Sequence, residues 1–298
     1  MSLKIIFDIF SGRPNPEMML NDKDAKAFLD QLGLDKTKTV ADAHANVETR
    51  LGYRGIIVEQ LGAAQLGLGA RFRIQGNQLK SGEDAFRIAS ASLENGLLAK
   101  TANVSAAGIS SELAALIRSE ASAAPAASGA STASAPSTAA LLKCATAPIY
   151  EPAWWNDTAT GGVRQYHNNC YNYACNYRTD TYAQPGRASG TSFTSISCSG
   201  MRPAVQGDGL ASYSPNPVVG LQCPGKGELA AMVVWPNWDF HWYRLGNDGF
   251  WSHKPGSNPV TNLDDSGNVI TDPRTANRGR YTEFCSFMVV MHGHVFLK

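Results

Sequence analysis

The spacing of apolar side chains predicts a mixture of strands and helices over residues 1–118. Apolar and polar residues alternate in some stretches, which is typical of half-buried strands. Other stretches repeat apolar residues every three or four positions, which is typical of amphipathic helices, and Asn21 or Asp22 can cap the first of them. The predicted strands are residues 4–10, 53–60 and 71–75, and the predicted helices are residues 22–31, 81–100 and 111–118. We therefore predict a small α+β accessory domain here, which acts as a binding, targeting or inhibitory module.

The periodic pattern stops in residues 119–141. This stretch consists almost entirely of Ala, Ser, Thr, Pro and Gly, and Glu120 is its one charged residue. Such a composition buries too little apolar surface to offset the entropy that ordering costs. We predict a flexible linker, although the high helix propensity of Ala leaves a helix as the alternative.

Residues 142–298 have a different composition and form a second predicted domain. All six cysteines, all six tryptophans and most of the ten tyrosines lie after residue 143. The pattern predicts a helix at residues 170–177 that Asn168 or Asn169 caps, a buried strand at 229–235 and a strongly apolar last strand at 284–291. Residues 191–227 are rich in Ser, Pro and Gly and are predicted to be irregular. The expected fold class is α+β with a central antiparallel sheet.

Residues 239–254 predict a β-hairpin that carries two histidines. Aromatic runs containing His241 and His253 flank a Gly-Asn-Asp-Gly turn. A three-residue loop that ends at Gly249 pairs Tyr243 with His253 and places both imidazoles on one face. A two-residue loop places them on opposite faces, because a shift of one residue reverses every side chain. The sequence leaves both registers open.

The net charge, the apolar runs, the first residues and the cysteines limit the classes of function that the chain can have. The formal net charge of +1 gives no electrostatic case for nucleic acid, and no apolar run is long enough to span a bilayer. The first residues do not have the pattern of a Sec signal peptide, which predicts a protein that is cytoplasmic or exported by another route. Six cysteines allow one or two disulfides in an oxidising compartment, but the sequence does not assign the pairs.

Cys170 is the candidate nucleophile. A thiol in the first turn of a helix faces unpaired N–H groups and the positive end of the helix dipole, which favour the thiolate. Cys175 is the rival, but it lies more than one turn into the helix. A nearby imidazole, itself oriented by a third polar group, would complete the activation of the thiol.

A cysteine at a helix start followed by two strand histidines resembles the papain-like fold. The interval of twelve residues from His241 to His253 is similar to that of the NlpC-like cell-wall peptidases. The resemblance covers about a third of the chain and does not include residues 1–118. It implies that Cys170 is the nucleophile, with its backbone N–H in the oxyanion hole, that His241 is the base and His253 the orienting residue, and that Gln165 is the helper glutamine. The chain departs from the family at Asn169, where aspartate is usual, and at Trp242-Tyr243, where small residues are usual.

The expected function is therefore a cysteine-dependent hydrolase that cleaves an amide bond through a thioester acyl-enzyme. The expected substrate is a peptide, a cell-wall peptide or an isopeptide in a protein, and the same triad can run acyl transfer. No cofactor and no metal are expected. The other candidates for the third catalytic residue are Asp239, Asn258, Asp264 and Asp265.

Two alternatives come from other classes. The first is a non-catalytic exported effector or binding protein, in which disulfides brace the Cys-rich half as a recognition domain. The second is a zinc site built on His292, His294 and Cys285, although no cysteines at zinc-finger spacing accompany them and surface histidines are the favoured interpretation.

Overall fold

The computed structural model describes residues 2–32, 35–39, 50–76, 78–82, 84–88, 93, 96–97, 109–123, 141–213 and 220–298. The chain divides into two compact units. Unit 1 consists of Met1–Ile9, Asn15–Val47 and Gly52–Ser128, and unit 2 consists of Phe10–Pro14, Glu48–Leu51 and Gly129–Lys298. Two short segments of the N-terminal half thus belong to unit 2. Of the predicted linker, residues 124–140 lie outside the described residues, and the domain boundaries at residues 118 and 142 stay a prediction.

Unit 1 contains an antiparallel sheet. In the described part of the chain its strand order is β2-β1-β4-β5-β6-β7-β3. The strands are β1 (Ser2–Phe7), β2 (Glu17–Leu20), β3 (Asp35–Thr39), β4 (Ile56–Leu61), β5 (Arg71–Gln75), β6 (Gln78–Ser81) and β7 (Asp84–Arg87), and the helices whose bounds are described are α1 (Asp22–Gln31) and α2 (Ser111–Ala123).

Local signals explain α1 but not β7. Asn21 caps α1 as predicted, because its side chain accepts a hydrogen bond from the Asp24 N–H. The prediction of a helix over residues 81–100 is wrong at its start. Gly82 takes a positive φ of 60°, and Asp84–Arg87 pairs with β6 on one side and β3 on the other. Hydrogen bonds to two neighbouring strands override the helical spacing of the apolar residues there.

Unit 2 is built on a second antiparallel sheet with the order β11-β10-β9-β12-β8. Every residue of its central strands β9 and β10 is buried, which explains why the strand prediction rests on continuous apolar runs. The strands are β8 (Ala211–Ser212), β9 (Glu228–Trp235), β10 (Asp239–Leu245), β11 (Trp251–His253) and β12 (Glu283–Val290), and the helices are α3 (Pro152–Trp155), α4 (Val163–Tyr166), α5 (Cys170–Ala174) and α6 (Cys198–Gly207).

Within the stretch predicted to be irregular, the described residues 191–213 are more regular than the sequence predicts. Ser197 caps α6, because its hydroxyl accepts a hydrogen bond from the Gly200 N–H at 3.1 Å. The cap is a serine among many serines, so composition hides it. Residues 295–297, which follow the last strand, are not in a strand.

Two disulfides brace unit 2. Cys144 is bonded to Cys223 across 79 positions, and Cys198 is bonded to Cys285 across 87 positions. The remaining cysteines, Cys170 and Cys175, are free and buried. Four of the six cysteines are therefore structural.

The predicted class of mixed α and β structure with antiparallel sheets is confirmed. The helices are few and short, and the two sheets dominate the described residues. None of the described helices has the length and apolar character to cross a membrane.

Candidate functional site

Helix α5 places Cys170 at its first position. The Asn169 side chain accepts hydrogen bonds from the N–H groups of Tyr171 and Asn172, and Asn172 accepts one from the Asn169 N–H, so that the two form a capping box. This local signal is readable in the sequence. Cys170 is nevertheless fully buried. Burial and the nearby Asp239 carboxylate raise the pKa of the Cys170 thiol, although a hydrogen bond to Ser11 opposes the shift.

The hairpin has the three-residue loop, so the favourable register is confirmed. Tyr243 pairs with His253, the Gly246 N–H donates to the Phe250 carbonyl at 2.8 Å, and Gly249 has a φ of 89°. His241 Nε2 consequently lies 2.8 Å from His253 Nδ1. The structure thus brings together the two histidines that sequence spacing singles out.

The second nitrogen of each imidazole also has a partner. His241 Nδ1 lies 2.5 Å from the Ser11 hydroxyl, and His253 Nε2 lies 2.9 Å from the Leu263 carbonyl. Both rings are buried. A chain of hydrogen bonds therefore runs from Ser11 through both histidines to the backbone at Leu263.

Asp239 anchors the segment Phe10–Pro14, which we call the N-terminal loop. Its Oδ2 accepts hydrogen bonds from the N–H groups of Ser11 (2.5 Å) and Gly12 (3.1 Å) and from the Tyr281 hydroxyl, and its Oδ1 accepts from the Arg13 N–H (2.8 Å). Burial raises the pKa of the Asp239 carboxyl, and these four donors oppose that shift. A carboxylate that receives several N–H groups holds the backbone that supplies them.

The carbonyl of Gly12 is also held within unit 2. It accepts hydrogen bonds from the side-chain amides of Asn169 and Gln184, both at 2.8 Å. A Cβ atom at Gly12 would lie 2.3 Å from the Phe240 ring and 2.5 Å from the Phe240 carbonyl. The loop thus fits against β10 so closely that the position requires glycine.

Gln165 contacts the segment after the hairpin. Its side-chain amide donates to the Ser257 carbonyl at 3.4 Å. The backbone carbonyl of Gln165 accepts from the ammonium group of Lys254 at 2.6 Å. Lys254 is completely buried and also donates to the carbonyls of Gly256 and Asn258. These contacts tie α4 to the end of the hairpin.

The alternative third residues have other partners. Asp264 accepts backbone hydrogen bonds from Ser266 and Asn268 within its own turn, and one from the more distant Asn277. Asp265 accepts from the Leu51 N–H at 2.8 Å. Asn258 donates to the Pro255 carbonyl at 2.8 Å. Asp239, in contrast, lies near the histidine pair. It accepts a hydrogen bond from the N–H group of Ser11, whose hydroxyl contacts His241.

The zinc alternative has lost a ligand, because Cys285 is in a disulfide. His292 instead lies 2.6 Å from a carboxylate oxygen of Glu228. Among the described residues no group of three His, Cys, Asp or Glu side chains is placed to hold a metal ion.

Sequence reasoning missed the N-terminal loop. Residues 11–16 are predicted to be a turn from their Gly and Pro content, and this composition carries no sign of a partner more than two hundred residues away. The one available signal is Gly12 directly after the apolar Phe10 and the small Ser11, a pattern that allows close packing. The catalytic roles assigned to Cys170, His241, His253 and Gln165 stay predictions.

Comparison with known proteins finds a relative. Insoluble matrix shell protein 1 from Ruditapes philippinarum is 44% identical over 143 residues, which are 47% of this chain and 88% of the relative. No family model and no solved structure matches the chain.

This relative contradicts the prediction of a cysteine-dependent hydrolase. Its name describes a protein of an insoluble shell matrix and not a peptidase. The interpretation of the chain as a hydrolase or thiol protease was therefore wrong, and the relative gives no support for an effector. The error came from inferring catalysis from the order of residues along the chain. The order of Cys170, His241 and His253 does not reveal that all three side chains are buried.

Proposed function

The chain belongs to the family of insoluble matrix shell protein 1, and we propose that it is a non-catalytic structural protein that assembles into an insoluble extracellular matrix. The observation that carries this proposal is the extent of the match, which covers most of the relative's length. The proposal is close to the disulfide-braced binding protein that the sequence offers as the alternative to an enzyme.

The disulfides support deposition outside the cell. Bonds of this kind form and persist in oxidising compartments and are rare in the cytosol. Each of the two bonds joins positions that are far apart in sequence, and cross-links over such long loops stabilise a fold most. We therefore propose that the protein is exported and functions in its oxidised form.

The surroundings of Cys170 support a non-catalytic role. The thiolate is the nucleophilic form of cysteine, and burial raises the pKa of Cys170, so that the neutral thiol prevails at neutral pH. The imidazole of His241 has Ser11 at one nitrogen and His253 at the other. We interpret this cluster as a satisfied polar core that fixes the position of the N-terminal loop.

We further propose that unit 2 retains a papain-like arrangement as a scaffold. Helix α5, which begins at Cys170, packs against β10, which carries His241. The following strand β11 supplies His253. These contacts follow the order that the papain-like resemblance implies, and the proposal assigns them to folding and not to catalysis.

Two measurements on the oxidised full-length chain test the structural role. In analytical ultracentrifugation over a concentration series, we expect growing oligomers and finally a sedimentable fraction that survives high salt. With peptide, cell-wall-peptide and isopeptide substrates, we expect no more product than the Cys170→Ala variant releases. A chain that stays monomeric at every concentration, or a turnover that Cys170→Ala abolishes, would contradict the proposal.

A further inference from the structure

We infer that the N-terminal loop is exchangeable, so that the loop of one copy occupies the corresponding position in unit 2 of a second copy and links the chains. The inference rests on the proposed structural role and names the contact through which assembly occurs. The binding partner is therefore a second molecule of this same chain.

Unit 2 has a complete set of groups that bind the loop backbone. Asp239 accepts three consecutive N–H groups of the loop, and Asn169 and Gln184 donate to its central carbonyl. The Arg13 guanidinium donates to the Trp238 carbonyl at 2.7 Å. We call Asn169, Gln184, Trp238, Asp239 and His241 the loop receptor. All of its members come from the C-terminal half of the chain, so the same contacts are available to a loop from another copy.

The loop is closed at its base by residues of unit 1. The Ile9 N–H donates to the Asn15 side-chain oxygen at 3.0 Å, and the Phe7 N–H donates to the Pro16 carbonyl at 2.9 Å. Pro14 fixes its own backbone φ. Because these contacts do not involve unit 2, the loop keeps its shape when it leaves its own receptor. Binding of a preformed loop costs less entropy than binding of a disordered segment.

The fit between loop and receptor is selective. Phe10 and Ser11 are buried, and the Phe10 ring packs edge-on against Trp235 with 6.4 Å between ring centroids. Gly12 leaves no room for a side chain beside Phe240. A single methyl group on the loop therefore blocks docking without any change to the receptor.

Exchange gives an open assembly. Each chain carries one loop and one receptor, and these are different surfaces, so that a contact between copies is heterologous. Heterologous contacts that do not close into a ring extend into filaments. The contacts within one chain and between two chains are the same, so protein concentration sets the balance between them. High local concentration in a forming matrix would then favour linked chains.

A complementation experiment tests the exchange. Gly12→Ala disables the loop and leaves the receptor intact, whereas Asp239→Ala disables the receptor and leaves the loop intact. The matched control is Gly225→Ala, because a Cβ there has no atom within 4 Å. Differently tagged chains are unfolded, mixed and refolded under oxidising conditions, and their masses are measured by light scattering. We expect a one-to-one heterodimer in the mixture of Gly12→Ala with Asp239→Ala, since neither partner can extend it, and only monomers from either variant alone.

A second arm keeps the test decisive if a variant does not fold. A synthetic peptide of residues 9–16 is added in excess to assembled wild-type chains, with the same peptide carrying Gly12→Ala as its control. We expect the first peptide to shorten the assemblies and the second to leave them unchanged. Assembly that neither the peptide nor the Gly12→Ala variant affects would overturn loop exchange while leaving the structural role intact. A wild-type chain that does not assemble would overturn both.

Discussion

Removal of either disulfide should destabilise unit 2 strongly. The variants are Cys144→Ser with Cys223→Ser, and Cys198→Ser with Cys285→Ser. The bonds close loops of 79 and 87 positions, and the chain-entropy relation gives about 4.5 kcal/mol for a loop of that length. For a domain of this size, such a loss corresponds to a fall in Tm of roughly 9–18 °C. The two losses should not add, because the two loops overlap in sequence.

Differential scanning calorimetry of the oxidised proteins measures the effect. The control is the wild-type chain with and without a reducing agent. Reduction should lower the Tm of the wild type and should not change the Tm of a variant that lacks all four cysteines. If either pair of substitutions leaves the Tm unchanged, the loop-closure reasoning is wrong for this protein.

Three further predictions concern buried polar groups. Asp239→Ala should lower the free energy of unfolding by at least about 3 kcal/mol, because three loop N–H groups lose their shared acceptor and each unsatisfied donor costs about 1–3 kcal/mol. Asp264→Ala, at a partly exposed turn, should cost less in the same urea titration, and equal losses would refute the reasoning. Iodoacetamide at neutral pH should label neither Cys170 nor Cys175 in the native protein. Both thiols are buried, and burial raises their pKa. Rapid labelling of either cysteine, measured by mass spectrometry, would contradict this prediction. Burial raises the pKa of the Tyr150 hydroxyl to about 12. The unfolded chain therefore loses the hydroxyl proton at lower pH than the native protein does. The free energy of unfolding should consequently fall as the pH rises from about 10 to 12. Denaturant midpoints at alkaline pH measure that loss, which Tyr150→Phe should reduce.

The sequence predicts structure well where the signal is local. Gly249 closes the three-residue loop and so sets the position of His253. Asn169 caps α5 with a capping box whose members are three residues apart. In both places the residues that determine the conformation lie within one turn of each other, and propensity and hydrogen bonding favour the same structure.

Long-range contacts set the limit of sequence reasoning. Nothing near Ser11 indicates that Asp239 accepts its N–H group, because the two residues are 228 positions apart. The spacing of Ala85 and Ile88 fits a helix, but pairing with two strands decides the conformation of β7. The burial of a side chain also depends on long-range contacts. The order of a cysteine and two histidines is visible in the sequence, whereas the contact of Ser11 with His241 is not.

The two disulfides also determine what happens when the chain is cut. Cys198 lies between Cys144 and Cys223, and Cys285 lies beyond them, so the bonded intervals overlap. A single backbone break at any point from residue 144 to residue 285 therefore leaves both fragments joined by at least one S–S bond. A protease must therefore cut at least twice between Cys144 and Cys285 before it can release a piece of this segment. In the insoluble matrix that we propose for this chain, isolated breaks in this region would not detach protein.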